Sequence, residues 1–319
     1  MKINKIYFLL LFSILPLLSF HTTDKKITTT PQANNWMSFF GDNRPLHFIS
    51  IPGTHDSGAL HDGNTLGFTT YAKTQDYSIA DQLNFGIRYL DIRCNYKDGE
   101  FKIYHGSVDQ KQDFDDVLKT CRSFLAANPS ETIIMSVKQE KSNITNNTYS
   151  QRFYQYTQAY PNLFYLGNKI PNLGKVRGKI VLVRRFISGD NFGINTYSNW
   201  PDNAIADVTN ADKVNYYFQD VYKVQSNTTK FNQIKEVNDL SKKEQSMSRD
   251  NRKFYFNFTS GQLQGSSGNK IKNVSNVINP KILDYYAESE NQNNYLGMVI
   301  VDFATANLAR TIYMTNFNQ

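Results

Sequence analysis

Cysteine is scarce in this chain, which has only two, Cys94 and Cys121, among 319 residues. One follows a predicted strand and the other lies inside a predicted helix, an arrangement that disfavours a disulfide between them. The first thirty residues contain no cysteine, which argues against a lipid-modified amino terminus. A chain of this length can bury a hydrophobic core without cross-links.

Long hydrophobic runs are also rare, and the one that stands out is residues 6–20. It follows Lys2 and Lys5 and is shorter than the roughly 20 residues that a transmembrane helix needs. This pattern is typical of a secretory signal peptide, with a transmembrane anchor as the alternative. We predict that residues 1–25 are a signal peptide, cleaved somewhere between 19 and 30, that residues 26–319 form the catalytic domain, and that the protein is secreted.

The sequence shows no low-complexity linker, no repeat of twenty to fifty residues and no block of like charge. These absences favour a single domain. The formal net charge is +7, and removal of Lys2 and Lys5 would leave +5. Such a charge suits an anionic partner such as a membrane surface, and it suits simple solubility equally well. We expect a monomer with no nucleic-acid partner.

Strand-like and helix-like segments alternate along the chain. Strands are predicted at 46–51, 87–92, 100–104, 131–137, 179–183, 214–218, 253–258 and 296–301. Helices are predicted at 79–85, 113–127, 149–160 and 231–248. This alternation implies parallel strands joined by right-handed crossovers. Eight such strands in one domain predict an α/β fold, a single closed β/α barrel of the TIM type.

Every predicted strand ends in polar or ionisable residues, whereas the strand bodies are largely apolar or aromatic. The residues at these ends that we consider candidates for the site are His55 and Asp56, Asp91 and Arg93, His105, Lys138, Arg185, Asp220 and Tyr222, and Asp302. In a barrel the carboxyl ends of the strands converge on one face. Residues from 55 to 302 are therefore predicted to share a single pocket.

The candidate residues suit the cleavage of a phosphodiester. Two histidines with pKa near ~6.5 can serve as base and acid in one turnover. An arginine can hold the phosphoryl oxygens through two hydrogen bonds. Carboxylates such as Asp302 and Asp56 would fix the tautomer of each imidazole. For His55 alone, a purely structural role is an equally good interpretation.

A metal site is the main alternative chemistry for this pocket. A hard cation such as Ca²⁺ would need several converging carboxylates. Instead, Arg93 stands two residues after Asp91. We therefore predict that the guanidinium takes the place of a metal, and that the site uses no metal or cofactor.

Several segments closely resemble the bacterial phosphatidylinositol-specific phospholipases C, the X-domain family. They are SIPGTHDSG at 50–58, DIR at 91–93, YHG at 104–106, NPSETIIMS at 128–136, RGKIVL at 177–182, WPDN at 200–203, QDVYKV at 219–224, NFTS at 257–260, INP at 278–280 and VIVD at 299–302. The resemblance covers nearly everything after the predicted signal peptide, and the motifs occur in the expected order.

The resemblance implies an irregular β/α barrel that cleaves phosphatidylinositol to diacylglycerol and inositol 1,2-cyclic phosphate, and that often also releases glycosylphosphatidylinositol-anchored proteins. By matching position, His55 would be the general base, oriented by Asp302. His105 would be the general acid, assisted by Asp56.

The same resemblance implies roles for the remaining candidates. Arg93 would bind the phosphate in place of the calcium ion of eukaryotic relatives, and Asp91 would anchor the group. The inositol hydroxyls would meet Lys138, Arg185 and Asp220, and the ring of Tyr222 would lie beneath the inositol.

The chain departs from the family in the segments expected to touch the membrane. Between 58 and 80 the family has a short helix with exposed apolar residues, for which the candidates here are Leu60, Leu66, Phe68 and Tyr71. The loop 261–275 lacks the aromatic residues of the family. Lys270 and Lys272 could compensate by attracting anionic lipid, at ~1 kcal/mol per charge. We expect a transient peripheral contact that is weak and sensitive to salt.

Two other functions are compatible with a barrel carrying these residues. One is a metal-dependent glycerophosphodiesterase or a barrel of the sphingomyelinase D type. The other is a non-catalytic module that binds inositol or a glycan.

Overall fold

The computed structural model describes residues 30–65, 67–244 and 253–317. The predicted signal peptide lies outside these ranges, so it stays a prediction, as does the domain boundary at residue 26. The strands are β1 (Ile51–Thr54), β2 (Gly63–Thr65), β3 (Phe68–Thr70), β4 (Tyr89–Lys97), β5 (Glu100–His105), β6 (Val108–Asp113), β7 (Ile133–Gln139), β8 (Phe164–Tyr165), β9 (Ile180–Arg185), β10 (Ile194–Asn195), β11 (Ile205–Thr209), β12 (Asn215–Gln219), β13 (Lys223–Val224), β14 (Lys253–Phe258), β15 (Gln262–Leu263) and β16 (Met298–Val301). The α-helices are α1 (Ile79–Phe85), α2 (Phe114–Ala127), α3 (Asn146–Ala159), α4 (Asn227–Glu244), α5 (Lys272–Ala287) and α6 (Ala306–Met314).

The central sheet runs in the order β10-β9-β7-β4-β1-β16-β14-β12, and all neighbours in this series are parallel. Within the described ranges, no strand pairing joins β10 to β12. Side chains bridge the seam instead: the Tyr216 hydroxyl and the Asn210 amide donate to the Asn195 carbonyl at 3.1 and 2.9 Å. The fold is thus an irregular TIM-type β/α barrel, and the predicted fold class is confirmed.

The third predicted strand is the main error in the predicted topology. Residues 100–104 do form a strand, β5, but it runs antiparallel to β4 and pairs with β6 outside the ring. Only Asp98 and Gly99 separate β4 from β5, and both have positive φ, +54° and +83°. A two-residue turn of this kind joins antiparallel strands, whereas parallel strands need a long crossover. The short β10 occupies an eighth position in the sheet.

The helix predictions were close where the pattern was regular. Helix α1 has the predicted bounds, and α2, α3 and α4 begin within four residues of theirs; the predicted end of α4 at 248 lies outside the described residues. Helices α5 and α6 were missed. Pro280 lies inside α5 and disguises its helical pattern. The first strand begins at Ile51 rather than at 46, because a 3₁₀ turn occupies Leu46–Phe48.

The barrel strands are buried on both faces, as expected for parallel strands covered by helices. On β16, Met298 and Ile300 point into one hydrophobic cluster, while Val299 and Val301 point into another. The first cluster fills the barrel, and the second packs against helices. Cys94 and Cys121 are both buried and unbonded. No helix among the described residues is both long and apolar enough to cross a membrane.

A β-hairpin, β2–β3, stands where the family resemblance implied a short helix. Phe68 and Tyr71 are 79% and 42% exposed there, and Leu60 is half-buried. Leu66 lies outside the described residues. The loop predicted at 261–275 contains β15 and the start of α5, with Lys270 and Lys272 exposed.

Candidate active site

A cavity of about 410 Å³ opens at the carboxyl ends of the barrel strands. Eight of the ten predicted residues line it: His55, Arg93, His105, Lys138, Arg185, Asp220, Tyr222 and Asp302. The other two, Asp56 and Asp91, lie fully buried beneath it and contact Arg93. The structure therefore brings all ten predicted residues together at one end of the barrel.

His55 has a hydrogen-bond partner on each ring nitrogen. Its Nδ1 lies 2.8 Å from Asp302 Oδ1, and its Nε2 lies 2.7 Å from a terminal nitrogen of Arg93. Because a guanidinium only donates, Nε2 is the acceptor and the proton of the neutral ring is on Nδ1. Asp302 thereby selects the tautomer that leaves a lone pair on Nε2.

The surroundings of His55 favour its protonated form. Burial alone would lower its pKa, and the positive charge of Arg93 acts in the same direction. The charge and hydrogen bond of Asp302, together with the charge of Asp91, act in the opposite direction and outweigh both, so that the pKa of His55 lies above its usual value.

Asp91 is a counter-ion shared by two arginines. Its Oδ2 accepts from Arg93 Nε and a terminal nitrogen at 3.2 and 2.9 Å, and its Oδ1 accepts from Arg185 at 3.2 Å. Burial would raise the pKa of Asp91, but the two guanidiniums hold it far below its usual range. Asp91 is thus ionised at neutral pH, and it fixes two cations on the floor of the cavity.

His105 faces His55 across the cavity, with ring centres 6.2 Å apart and ring planes nearly perpendicular. Its Nδ1 lies 2.6 Å from the Ala72 carbonyl, which can only accept, so Nδ1 carries a proton. Asp56 Oδ2 lies 3.5 Å from the same nitrogen, a distance that allows an ion pair with protonated His105. The β5–β6 hairpin places His105 here.

Asp56 is a buried carboxylate without a hydrogen bond to either side-chain oxygen within the described part of the chain. Its φ is +41°, so the backbone turns sharply directly after His55. Burial raises the pKa of Asp56, and the charge of Arg93 offsets part of this rise. Its Oδ2 lies 3.5 Å from a terminal nitrogen of Arg93 and 3.5 Å from His105 Nδ1.

One wall of the cavity is a stack of aromatic and charged groups. The guanidinium carbon of Arg185 lies 3.4 Å from the centre of the Trp200 ring, and Trp200 Nε1 donates to Asp220 Oδ2 at 2.8 Å. The Tyr222 hydroxyl donates to Asp202 at 2.7 Å, and this hydrogen bond raises the pKa of Tyr222 to about 12. The wall presents both donors and acceptors, which suits a polyhydroxylated ring.

Lys138 lies next to Arg185, its register partner on the neighbouring strand, and its Nζ is 2.8 Å from Glu140 in a salt bridge. Burial lowers the pKa of Lys138, as does the nearby charge of Arg93, while Glu140 acts in the other direction. Glu140 also accepts from the Gly106 amide at 3.0 Å. One carboxylate therefore connects the hairpin that carries His105 to the lysine at the end of β7.

Among the described residues, no group of three or more His, Cys, Asp and Glu side chains is arranged to hold a metal ion. Where two carboxylates do converge, at Asp56 and Asp91, the guanidinium of Arg93 contacts both.

Comparisons with known proteins identify the family of this chain. Residues 49–186 match the family model described as phosphatidylinositol-specific phospholipase C, X domain. A protein named 1-phosphatidylinositol phosphodiesterase from Staphylococcus aureus strain Newman is 33% identical over 298 residues, which is 89% of this chain and 93% of the relative. A protein of the same name from Listeria monocytogenes is 30% identical over 328 residues, covering 97% and 94%.

The chain belongs to the bacterial phosphatidylinositol-specific phospholipase C family. The resemblance inferred from the sequence motifs is thereby confirmed.

Solved structures of this family share the barrel. A structure of the phosphatidylinositol-specific phospholipase C from S. aureus matches with a TM-score of 0.76 at 30% identity, covering 90% of this chain and 98% of the other. The corresponding protein from L. monocytogenes matches with a TM-score of 0.70 at 28% identity, covering 90% and 100%.

The prediction from the sequence missed residues that hold this phospholipase C site from behind. Gln75 is fully buried; its Nε2 donates to the His55 and Val301 carbonyls at 3.0 and 2.9 Å, and its Oε1 accepts from the Ala304 amide at 3.0 Å. One amide thus ties the loop of His55 to the loop of Asp302. Gln75 lies in the middle of a connection, where no strand end marked it.

Trp200 and Asp202 were quoted only as part of a motif, without a role. They lie between β10 and β11, in a long connection that lacks an α-helix. Strand ends were the signal used, and the two-residue strand β10 that precedes these residues was not predicted.

We predict that Asp302→Asn lowers the pKa of His55 relative to the unchanged protein. The substitution removes the charge that raises this pKa, while burial, which lowers it, remains. An NMR titration of the imidazole resonances would measure the change. Asp220→Asn, which alters another aspartate of the same cavity, is the control and should leave the pKa of His55 unchanged. An unchanged His55 titration in Asp302→Asn would contradict the assignment.

Proposed function

We propose that this chain cleaves phosphatidylinositol to diacylglycerol and inositol 1,2-cyclic phosphate by acid–base catalysis between two histidines. The activity class follows from family membership, because the relatives are named 1-phosphatidylinositol phosphodiesterases. One observation supports the mechanism above all: two imidazoles face each other at 6.2 Å, each with Nδ1 bound to an acceptor, beside one guanidinium.

The first step would be an attack within the substrate. His55 Nε2 takes the proton of the inositol 2-hydroxyl, and the oxygen forms a bond to phosphorus as the bond to the diacylglycerol oxygen breaks. His105 gives a proton to that leaving oxygen. Hydrolysis of the cyclic product would run through the same two histidines in exchanged roles, since each ends the first step in the protonation state that the second requires.

By binding the phosphate, Arg93 would also free His55 to act as the general base. In the ligand-free site its terminal nitrogen donates to His55 Nε2 at 2.7 Å. A phosphate group competes for that donor, and its binding would release the lone pair of His55. Asp91 and Asp56 keep the guanidinium in place during the exchange. We infer that this cation stabilises the phosphoryl oxygens and that the reaction needs no metal ion.

The inositol ring would bind against the stacked wall and beside Lys138, which neighbours Arg185. Lys138 and Arg185 can donate to hydroxyl oxygens, and the free oxygen of Asp220 can accept from a hydroxyl. Tyr222 offers a ring face to the sugar. Together these groups recognise a ring of hydroxyls rather than a bare phosphate.

We further propose that the protein is secreted and acts at membrane surfaces. The apolar run 6–20 behind Lys2 and Lys5 supports export. The exposed Phe68 and Tyr71 on and beside the β2–β3 hairpin support a peripheral contact. Glycosylphosphatidylinositol anchors carry the same inositol phosphodiester and are a second proposed substrate. We also propose that the protein acts as a monomer, which suffices for this chemistry.

The main test is incubation of the pure protein with phosphatidylinositol in the presence of a chelator, followed by phosphorus NMR of the water-soluble product. We expect a cyclic phosphodiester to form and activity to persist. His55→Ala and His105→Ala should each abolish it, and neither should unfold the protein because both side chains reach the cavity surface. Loss of activity with the chelator, restored by a divalent ion, would instead indicate a metal-dependent phosphodiesterase. Binding of inositol without cleavage would indicate a non-catalytic module.

Arg93→Lys should lower kcat by roughly 10²–10³-fold, because an ammonium cannot reproduce the planar fork that contacts Asp91 and the phosphate. Steady-state kinetics on phosphatidylinositol in detergent micelles would measure this. Arg184→Lys is a matched control: Arg184 is also buried on the barrel, but it donates to the Phe186 and Phe192 carbonyls. Equal losses in both variants would mean that Arg93 has only a structural role.

Phe68→Ala should weaken binding to phospholipid vesicles, because it removes the most exposed large apolar side chain of the hairpin. Binding should also fall as salt rises, since exposed lysines attract anionic lipid only within a Debye length of about 10 Å at 0.1 M salt. Vesicle sedimentation would measure both effects. Tyr154→Ala, which alters an aromatic residue 50% exposed on α3, is the control. Tight binding that ignores salt would refute the proposal.

A further inference from the structure

Lys230 is a buried lysine that the proposed reaction does not use. It lies in the first turn of α4 and is 1% exposed. Its Nζ donates to Gln219 Oε1 at 2.9 Å and to the Val221 carbonyl at 2.8 Å. No carboxylate of the described residues lies within salt-bridge distance of it. Lysine is almost never fully buried without such a partner.

Burial of this amine is costly, which indicates that it has a role besides packing. Burial lowers the pKa of Lys230 to about 7, while the charges of Asp220 and Asp302 act in the opposite direction. Both aspartates belong to the site. The amine contacts the residues on either side of Asp220, so it lies next to the site.

The two acceptors of Lys230 flank Asp220 in the chain. Gln219 Oε1 also accepts from the Val221 backbone amide at 3.0 Å, so the Gln219 side chain, Lys230 and Val221 form a small ring of hydrogen bonds beside Asp220. The side-chain nitrogen of Gln219, Nε2, donates to the Asn257 side-chain oxygen at 3.1 Å and to the Phe258 carbonyl at 2.8 Å. The segment is thus fixed to the end of β14.

The side chain of Asp220 is fixed separately. Trp200 donates to Oδ2, as described above, which leaves Oδ1 available to accept a ligand hydroxyl. The Asp220 amide donates to the Ala204 carbonyl at 3.1 Å. With Lys230 behind the backbone and Trp200 beside the carboxylate, Asp220 has one orientation toward the cavity.

We propose that Lys230 is a positioning residue for substrate recognition: by holding the Gln219 side chain and the Val221 carbonyl, which flank Asp220, it aims the Asp220 carboxylate at a hydroxyl of the inositol ring. This inference rests on the proposed function. Lys230 touches no reacting atom, so its effect should appear in ring binding rather than in the chemical step.

A double-mutant cycle tests the proposal. Lys230→Met keeps the length of the side chain and removes its donors, and it should raise KM for phosphatidylinositol and the dissociation constant of free myo-inositol roughly tenfold. We expect kcat to change much less. Asp220→Asn should raise KM and the dissociation constant of myo-inositol in the same way. The double variant should show no larger increase than Asp220→Asn alone, because the two residues act through one contact.

Lys253→Met is the matched control, because Lys253 is 14% exposed at the other end of β14 and pairs with Asp207 and Glu244. It should leave KM and myo-inositol binding unchanged whatever it does to thermal stability. Lys230→Gln, which retains a hydrogen-bond donor, is measured alongside it. If Lys230→Met fails to fold, the double-mutant cycle is measured with Lys230→Gln instead.

The outcomes separate this inference from the function on which it rests. If the single effects multiply in the double variant, or if Lys230→Met changes only thermal stability, Lys230 is a structural residue and the inference fails. If the unchanged protein neither cleaves phosphatidylinositol nor binds myo-inositol, the proposed function itself fails.

Discussion

The buried carboxylate of Asp91 is the interaction on which the site depends. Two guanidiniums, Arg93 and Arg185, would repel each other if they approached the cavity floor without an anion between them. Asp91 contacts both and cannot turn toward water, because it is fully buried. Removing one member of such a buried group typically costs about 3–5 kcal/mol, since the remaining charges lose their partner. The cation at the phosphate subsite and the cation at the proposed ring subsite are therefore fixed by one residue.

The barrel makes this concentration of charge possible. Its strand bodies are largely apolar on both faces, and the polar groups of the site are gathered at the carboxyl ends of the strands. Around that end, buried amides and one buried amine hold the loops from outside the cavity. Gln75 ties two loops together, Glu140 connects the hairpin to β7, and Lys230 holds the segment after β12. The reacting groups are rigid because their supports are hydrogen-bonded out of reach of solvent.

Much of this arrangement could be predicted from the sequence, because apolar strand bodies and polar strand ends leave a pattern that is local in the chain. The ten candidate residues lie at or directly after the ends of the predicted strands, and the structure gathers them. The two-residue turn at Asp98 and Gly99 was overlooked, although such a dipeptide predicts a hairpin. Gln75 and Lys230 could not have been found in this way. Their importance comes from partners distant in sequence, and nothing in their immediate neighbours distinguishes them from ordinary polar residues.

The two histidines lie on different parts of the fold. His55 belongs to the ring, whereas His105 lies on the β5–β6 hairpin, an antiparallel extension of β4. Hydrogen bonds to Ala72 and Glu140 hold this extension in place. In the proposed mechanism, changes to the extension would alter the acid that meets the departing alcohol without disturbing the strands that carry the proposed sugar-binding residues. Descendants of such a scaffold could thus diverge toward different lipid tails while retaining one headgroup.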